Sequence, residues 1–283
     1  MYANIRDVTL YYEIHGKGDP LICLPGGPGG DHTIYKKTHM GLSAYNQLIL
    51  FDPRGCGNSS TSPVEDYTIE NYVEDVEELR KYLKLDKINL LGKSYGGMVA
   101  QHYALIYPDS INKIIFVATS TSHHAQKEAV KNLESRGTPE QIKIGKKLLN
   151  GTFKDQADID DNFAIMRSLY SDAAKGKSID EIKSEDNPKL SFEPFTYGFK
   201  TFIRTYNFEP MLKNILHHAL VIGGDHDWVC DPKYSKILAE KLPNATLLIL
   251  DAGHSIDCDQ PKQYFQAIKV FLERDKMDLS SLL

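Results

Sequence analysis

Apolar residues gather in short unbroken runs along this chain: Leu21 to Leu24, Leu48 to Phe51, Ile88 to Leu91, Ile114 to Ala118, Leu220 to Ile222 and Thr246 to Leu250. Runs this short and uninterrupted predict strands covered on both faces, as in a parallel sheet. Between them the period lengthens. In Glu70 to Leu83 the residues Tyr72, Val76, Leu79 and Leu83 fall on one helical face, with Thr68 placed as the N-cap. Pro261 to Leu272 reads as a final helix opened by proline. Residues 2 to 15 alternate around Arg6-Asp7, the pattern of an antiparallel hairpin. Strand and helix in alternation predict a doubly wound α/β sheet, mostly parallel and about eight strands wide.

One stretch breaks the alternation. From Thr119 to Thr205 there is no continuous strand-like run, and Lys, Asp, Glu and Ser become frequent. Thr138-Pro139-Glu140-Gln141 has the form of a capping box with proline at the first helical position, and Asn150-Gly151 is a helix stop. The expected organisation is a core of residues 1–118 and 206–283, with residues 119–205 inserted as a helical cap. Lys276 to Leu283 reads as a lightly packed tail.

Composition narrows the class without naming a chemistry. The 283 residues carry a net charge of −5 with no basic stripe, which argues against nucleic acid as a partner. No run approaches membrane-spanning length, and the chain opens without a basic segment followed by an apolar one. Cys23, Cys56, Cys230 and Cys258 are scattered, which suggests reduced thiols rather than a disulfide frame or a zinc site. A soluble, cytoplasmic protein is expected, acting on a small molecule or short peptide, with no membrane partner.

The chemistry begins at Gly92-Lys93-Ser94-Tyr95-Gly96, placed directly after the run Ile88 to Leu91. This is a G-x-S-x-G nucleophile elbow with a strand before it and a helix after it. Gly92 and Gly96 allow strand and helix to approach closely on either side of the serine. A serine hydroxyl needs a base, and the base needs a third group to hold its tautomer. In elbow enzymes the chain order is Ser, then an acid, then His. Gly223-Gly224-Asp225-His226-Asp227 follows one late strand and Asp251-Ala252-Gly253-His254 follows the last. His254 is therefore the expected base. Counting from Gly224 the acid lands on Asp227, with Asp225 as the alternative. Two donors must receive the oxyanion. The backbone N–H of Tyr95 is one, and the loop Pro25-Gly26-Gly27-Pro28-Gly29-Gly30 supplies the other, Gly27 ahead of Gly26.

Together these segments, with Asp52-Pro53-Arg54-Gly55-Cys56-Gly57-Asn58-Ser59 and Trp228-Val229-Cys230 after the acid, resemble the proline iminopeptidase family. The resemblance spans about residues 8 to 272. It implies an α/β-hydrolase fold with a helical cap and a serine aminopeptidase activity. Ser94, Asp227 and His254 map onto the family's triad, and Gly-Gly-Pro-Gly onto its oxyanion loop. Three departures stand out. Pro25 occupies the usual place of a histidine expected to brace that loop, Tyr95 replaces a tryptophan, and the cap has no tryptophan, the only one being Trp228. The family binds a substrate's amino terminus through cap glutamates. Glu193 is the candidate here, a solvated surface acid being its ordinary reading. Gly26 and Trp228 complete the candidate substrate contacts.

Other residues carry blander expectations. His123-His124 and His217-His218 lack partners at ligand spacing and read as solvated or capping histidines. Cys56 and Cys230 read as packed small side chains. Lys93 is expected to point away from the pocket, which argues against a Ser–Lys mechanism. No metal and no organic cofactor is called for. The leading expectation is release of an N-terminal residue from small peptides. Next comes a small-ester or lactone hydrolase, and from another class a non-catalytic binding protein that uses the pocket as a receptor.

Overall fold

The computed structural model describes residues 1–185 and 189–273. The expected tail from Lys276 lies outside the described residues. Eight strands form one sheet: β1 (Tyr2–Ile5), β2 (Val8–His15), β3 (Asp19–Leu24), β4 (Asn46–Phe51), β5 (Ile88–Lys93), β6 (Ile111–Val117), β7 (His218–Gly224) and β8 (Ala245–Leu250). Their spatial order is β1-β2-β4-β3-β5-β6-β7-β8. The hairpin β1–β2 turns at Arg6-Asp7 and joins β4 antiparallel, while every pair from β4 to β8 is parallel. This is the mostly parallel α/β-hydrolase sheet that the apolar runs predict.

Buried strands need covers on both faces. After the short α1 (Thr33–Lys36), the helices α2 (Ile69–Tyr82) and α3 (Tyr95–Ile106) pack on one face. Leu10, Ile49, Ile88 and Ile114 meet Val73, Val76, Leu79 and Val99 there. The other face takes α11 (Pro261–Glu273), where Leu21, Leu48, Leu91 and Leu220 meet Tyr264, Ala267, Ile268 and Phe271. Thr68 caps α2 by accepting the Asn71 N–H. Another core helix, α9 (Pro232–Lys241), follows β7.

Between β6 and β7 the chain is helical: α4 (Ala125–Arg136), α5 (Pro139–Asn150), α6 (Gln156–Tyr170), α7 (Ile179–Ser184) and α8 (Phe192–Lys200). The Thr138/Gln141 capping box is formed, and Gly151 closes α5 in the left-handed region at φ +59°. This segment is tied over the carboxyl ends of the strands. Ser191 N–H donates to Gly29 C=O at 2.8 Å, and Ser255 N–H donates to Tyr170 C=O at 2.8 Å. Among the described residues no helix is long and apolar enough to cross a membrane.

Candidate active site

Ser94 ends β5 and starts α3 with φ +56° and ψ −120°, a strained conformation for a residue with a side chain. The neighbouring glycines explain how the turn is held. A Cβ on Gly96 would lie 1.9 Å from Leu24 O, and one on Gly92 would lie 2.4 Å from Gly96 O. Thr119, just past β6, donates its hydroxyl to Ser94 C=O at 2.7 Å and steadies the turn from the other side. The N–H groups of Gly27 and Tyr95 take part in no hydrogen bond among the described residues. Both residues border the space in front of Ser94. Gly26 packs on the elbow itself, where a Cβ would sit 2.9 Å from Lys93 O.

The loops after β7 and β8 bring Asp227 and His254 together. His254 Nδ1 lies 2.7 Å from Asp227 Oδ2, and both side chains are buried. The other carboxylate oxygen accepts the N–H groups of Val229 at 2.9 Å and Cys230 at 3.0 Å, which fixes the carboxylate plane. Asp225, two residues earlier, is exposed and bonds His226 Nδ1 at 2.5 Å instead. His254 and Ser94 line one cavity of about 120 Å³, with Nε2 the ring nitrogen left for the serine. Their mutual hydrogen bond is not made in this conformation, as is common in unliganded sites. The arrangement can supply a nucleophile, a base with a fixed tautomer and two oxyanion donors.

The cavity wall holds residues that sequence reasoning missed. Phe163, Arg167 and Tyr170 lie on one face of α6 and all line it, with Leu148 of α5 and Phe195 and Phe199 of α8. Tyr170 stands edge-on to His254, ring centroids 5.4 Å apart, and burial pushes its phenol up. The spacing i, i+4, i+7 after the Asp155 N-cap was the available signal. Lys93 differs from expectation because it borders the cavity. Its ammonium is nevertheless committed to Asp257 of α10 (Ile256–Asp259), so it is not free to serve as a base. Burial alone would raise Asp257, but Lys93 outweighs it and holds the carboxyl well below the usual range.

Other candidates lie outside the cavity. Trp228 is fully buried and packs at right angles on Tyr170, ring centroids 5.4 Å apart. Glu193 is exposed on α8. His123 bonds the Tyr206 carbonyl and His217 the Pro108 carbonyl. Cys56 and Cys230 are buried, and burial pushes both thiols up, so neither is a ready nucleophile.

The brace that Pro25 cannot provide comes from elsewhere. His32, at the end of the glycine loop, places Nδ1 2.6 Å from Asp52 Oδ1, and its own N–H bonds the same oxygen at 2.8 Å. Asp52 opens the turn after β4 and also accepts the Asn58 N–H at 2.8 Å through Oδ2. Gly57 is required there, since a Cβ would meet Asp52 Oδ2 at 2.3 Å. Arg54, two residues on, makes a buried two-pronged pair with Asp75 of α2 at 2.6 and 2.7 Å. The Asp-Pro-Arg-Gly-Cys-Gly segment is thus a structural knot under the glycine loop.

Comparison with known proteins agrees with this fold. Residues 19–257 match the model of the alpha/beta hydrolase fold family. The chain is 30% identical to the proline iminopeptidase PfmaB of Pestalotiopsis fici, over 96% of this chain and 99% of that one. It is 28% identical to the proline iminopeptidase of Clostridioides difficile, over 96% and 97%. An alpha/beta fold family hydrolase from Bacillus anthracis superimposes with a TM-score of 0.79 at 20% identity, covering 96% of this chain and 97% of that one. The chain belongs to the α/β-hydrolase fold family, as a proline iminopeptidase-like member.

Proposed function

We propose that this hydrolase works through an acyl-enzyme on Ser94 and acts on small, largely apolar esters or lactones. The observation that carries the chemistry is the buried Asp227–His254 pair facing the same cavity as the strained Ser94. In the proposed reaction Ser94 Oγ attacks the carbonyl carbon while His254 Nε2 takes its proton. Asp227 holds Nδ1–H and stabilises the imidazolium that forms. The carbonyl oxygen, now negative, is received by the Tyr95 and Gly27 N–H groups, each such donor being worth roughly 3 kcal/mol of barrier. Collapse expels the alcohol, which leaves with the proton held on His254. A water then attacks the acyl-enzyme by the same route, giving the acid and the free serine.

The substrate side of the proposal rests on the cavity lining. Among its described residues there is no carboxylate, and its charged groups are Lys93 and Arg167. A buried ammonium group needs an anionic or strongly accepting partner, so a free amino terminus finds none here. Aminopeptidase action is the second reading. What favours it is likeness over nearly the whole chain to proteins named proline iminopeptidases. A purified-protein comparison of p-nitrophenyl butyrate with prolyl and alanyl arylamides separates the two. Ester turnover that disappears in Ser94→Ala, with little arylamide cleavage, is expected. Faster cleavage of free-amine arylamides than of their N-acetyl forms would reverse the order of the readings.

A further inference from the structure

Arg167 stands one turn from both Phe163 and Tyr170 on α6 and lines the cavity at Ser94. It also borders an adjoining cavity of about 340 Å³ that runs past Thr38, Ser171 and Asp257. Its Nε is buried with no hydrogen-bond partner. Among the described residues its guanidinium pairs with no carboxylate, whereas Lys93 is held by Asp257 and Lys177 by Glu185 at 2.5 Å. The Arg167 side chain is half-buried and Glu185 lies within Coulombic reach, but among the described residues no carboxylate is hydrogen-bonded to it, so its donors remain open to an anionic ligand. The planar fork of a guanidinium matches a carboxylate through two parallel N–H···O bonds.

We propose that Arg167 anchors a carboxylate on the substrate, so that the site takes apolar esters or lactones carrying a free carboxylate group. This rests on the hydrolase reading above and narrows its substrate class. Hydrolysis consumes one water and gives an alcohol and a second carboxylate, with no other reactant.

Two measurements test it. In the first, kcat/KM is compared for the mono-p-nitrophenyl ester of glutaric acid and for the methyl ester of that compound. The free acid is expected to be preferred by about tenfold or more, the size of one charge-assisted pair. Arg167→Gln should cost the free acid at least about tenfold more than it costs the neutral ester and so erase that preference, while Arg167→Lys should restore part of it. Equal losses on both esters, or a wild-type preference for the neutral one, overturn the proposal. In the second, calorimetry on Ser94→Ala compares hexanoate with hexanamide. Hexanoate should bind at least about tenfold more tightly, and Arg167→Gln should abolish the difference. Binding of the two that is equal, absent or indifferent to Arg167 overturns the anchor. Retained hexanoate binding with no ester cleaved leaves the anchor standing and removes the esterase reading instead.

Discussion

Among the described residues two buried Asp–His pairs have nearly the same local geometry. Asp227–His254 meets at 2.7 Å and Asp52–His32 at 2.6 Å, each through Nδ1. Each aspartate follows a strand and is pinned by two backbone N–H groups. They differ in what lies beyond the ring. His254 turns its free edge to the cavity with Ser94. His32 turns Nε2 toward the Glu13 carboxylate at 3.6 Å, with no nucleophile beside it. A carboxylate fixes an imidazole's tautomer in either setting. The group facing the second nitrogen decides whether the pair does chemistry or holds a loop.

The largest expected effect is on turnover. Asp227→Asn can keep its carbonyl on the Val229 and Cys230 N–H groups and present its amide NH₂ to His254 Nδ1. That forces the proton onto Nε2, the nitrogen that must accept the serine proton. With p-nitrophenyl butyrate, kcat should fall by about 10⁴-fold, the size of loss known when this carboxylate is replaced in a serine protease. Folding should be little changed. Asp52→Asn should cost no more than about 100-fold, through a loosened glycine loop. If both variants lose activity equally, the division between a reacting pair and a bracing pair is wrong.

Stability should rank the two in the opposite order. Both oxygens of Asp52 accept backbone N–H groups, Oδ1 from His32 and Oδ2 from Asn58. Either flip of an asparagine there sets its NH₂ against a backbone N–H and leaves a buried donor unpaired. Urea unfolding should show Asp52→Asn about 2 kcal/mol less stable than Asp227→Asn. An equal or reversed ranking would mean that the knot under the glycine loop relaxes without cost.

Much of this frame was legible in the sequence, and the limit of legibility has a physical reason. Leu21 to Leu24 and Ile88 to Leu91 declare buried strands because their runs do not alternate, and both lie in the parallel sheet. Ser94, Asp227 and His254 were readable as a set because strand ends in such a sheet converge on one edge. Arg167 and Tyr170 were not, since their role depends on how α6 packs across loops more than 70 residues away in sequence. Pairwise partners such as His32 with Asp52, or Lys93 with Asp257, likewise have no local signature. Pro25 announced only that a brace was missing. Where the replacement would come from depends on the fold of the β4 turn.

The smallest expected effect compares the bracing histidine with a third buried one, His39, whose ring bonds Thr38 Oγ1 at 2.7 Å and the Tyr264 hydroxyl at 2.9 Å. His32 faces Asp52, Asp31 and Glu13, and the Asp52 hydrogen bond raises its pKa against the opposing effect of burial. His39 has no carboxylate bonded to its ring, and burial lowers it to about 4. The two should therefore move stability in opposite directions. With a raised folded pKa, the His32 contribution is fully present below the unfolded value of about 6.5 and is lost as pH rises through the folded value. With a depressed one, the His39 contribution is present above about 6.5 and is lost as pH falls toward about 4. Between about pH 7 and pH 5 the His39 term amounts to about 2 kcal/mol. Urea unfolding of wild type, His32→Asn and His39→Gln across this range and up to about pH 9 reads both, with shared titrations cancelling in the differences. The stability difference between wild type and His39→Gln should shrink toward acid, and that between wild type and His32→Asn should shrink toward alkali. If the His32 difference stays flat with pH, that ring is neutral in the folded state and holds its loop by hydrogen bonding alone, which would make the two Asp–His pairs more alike than their surroundings imply.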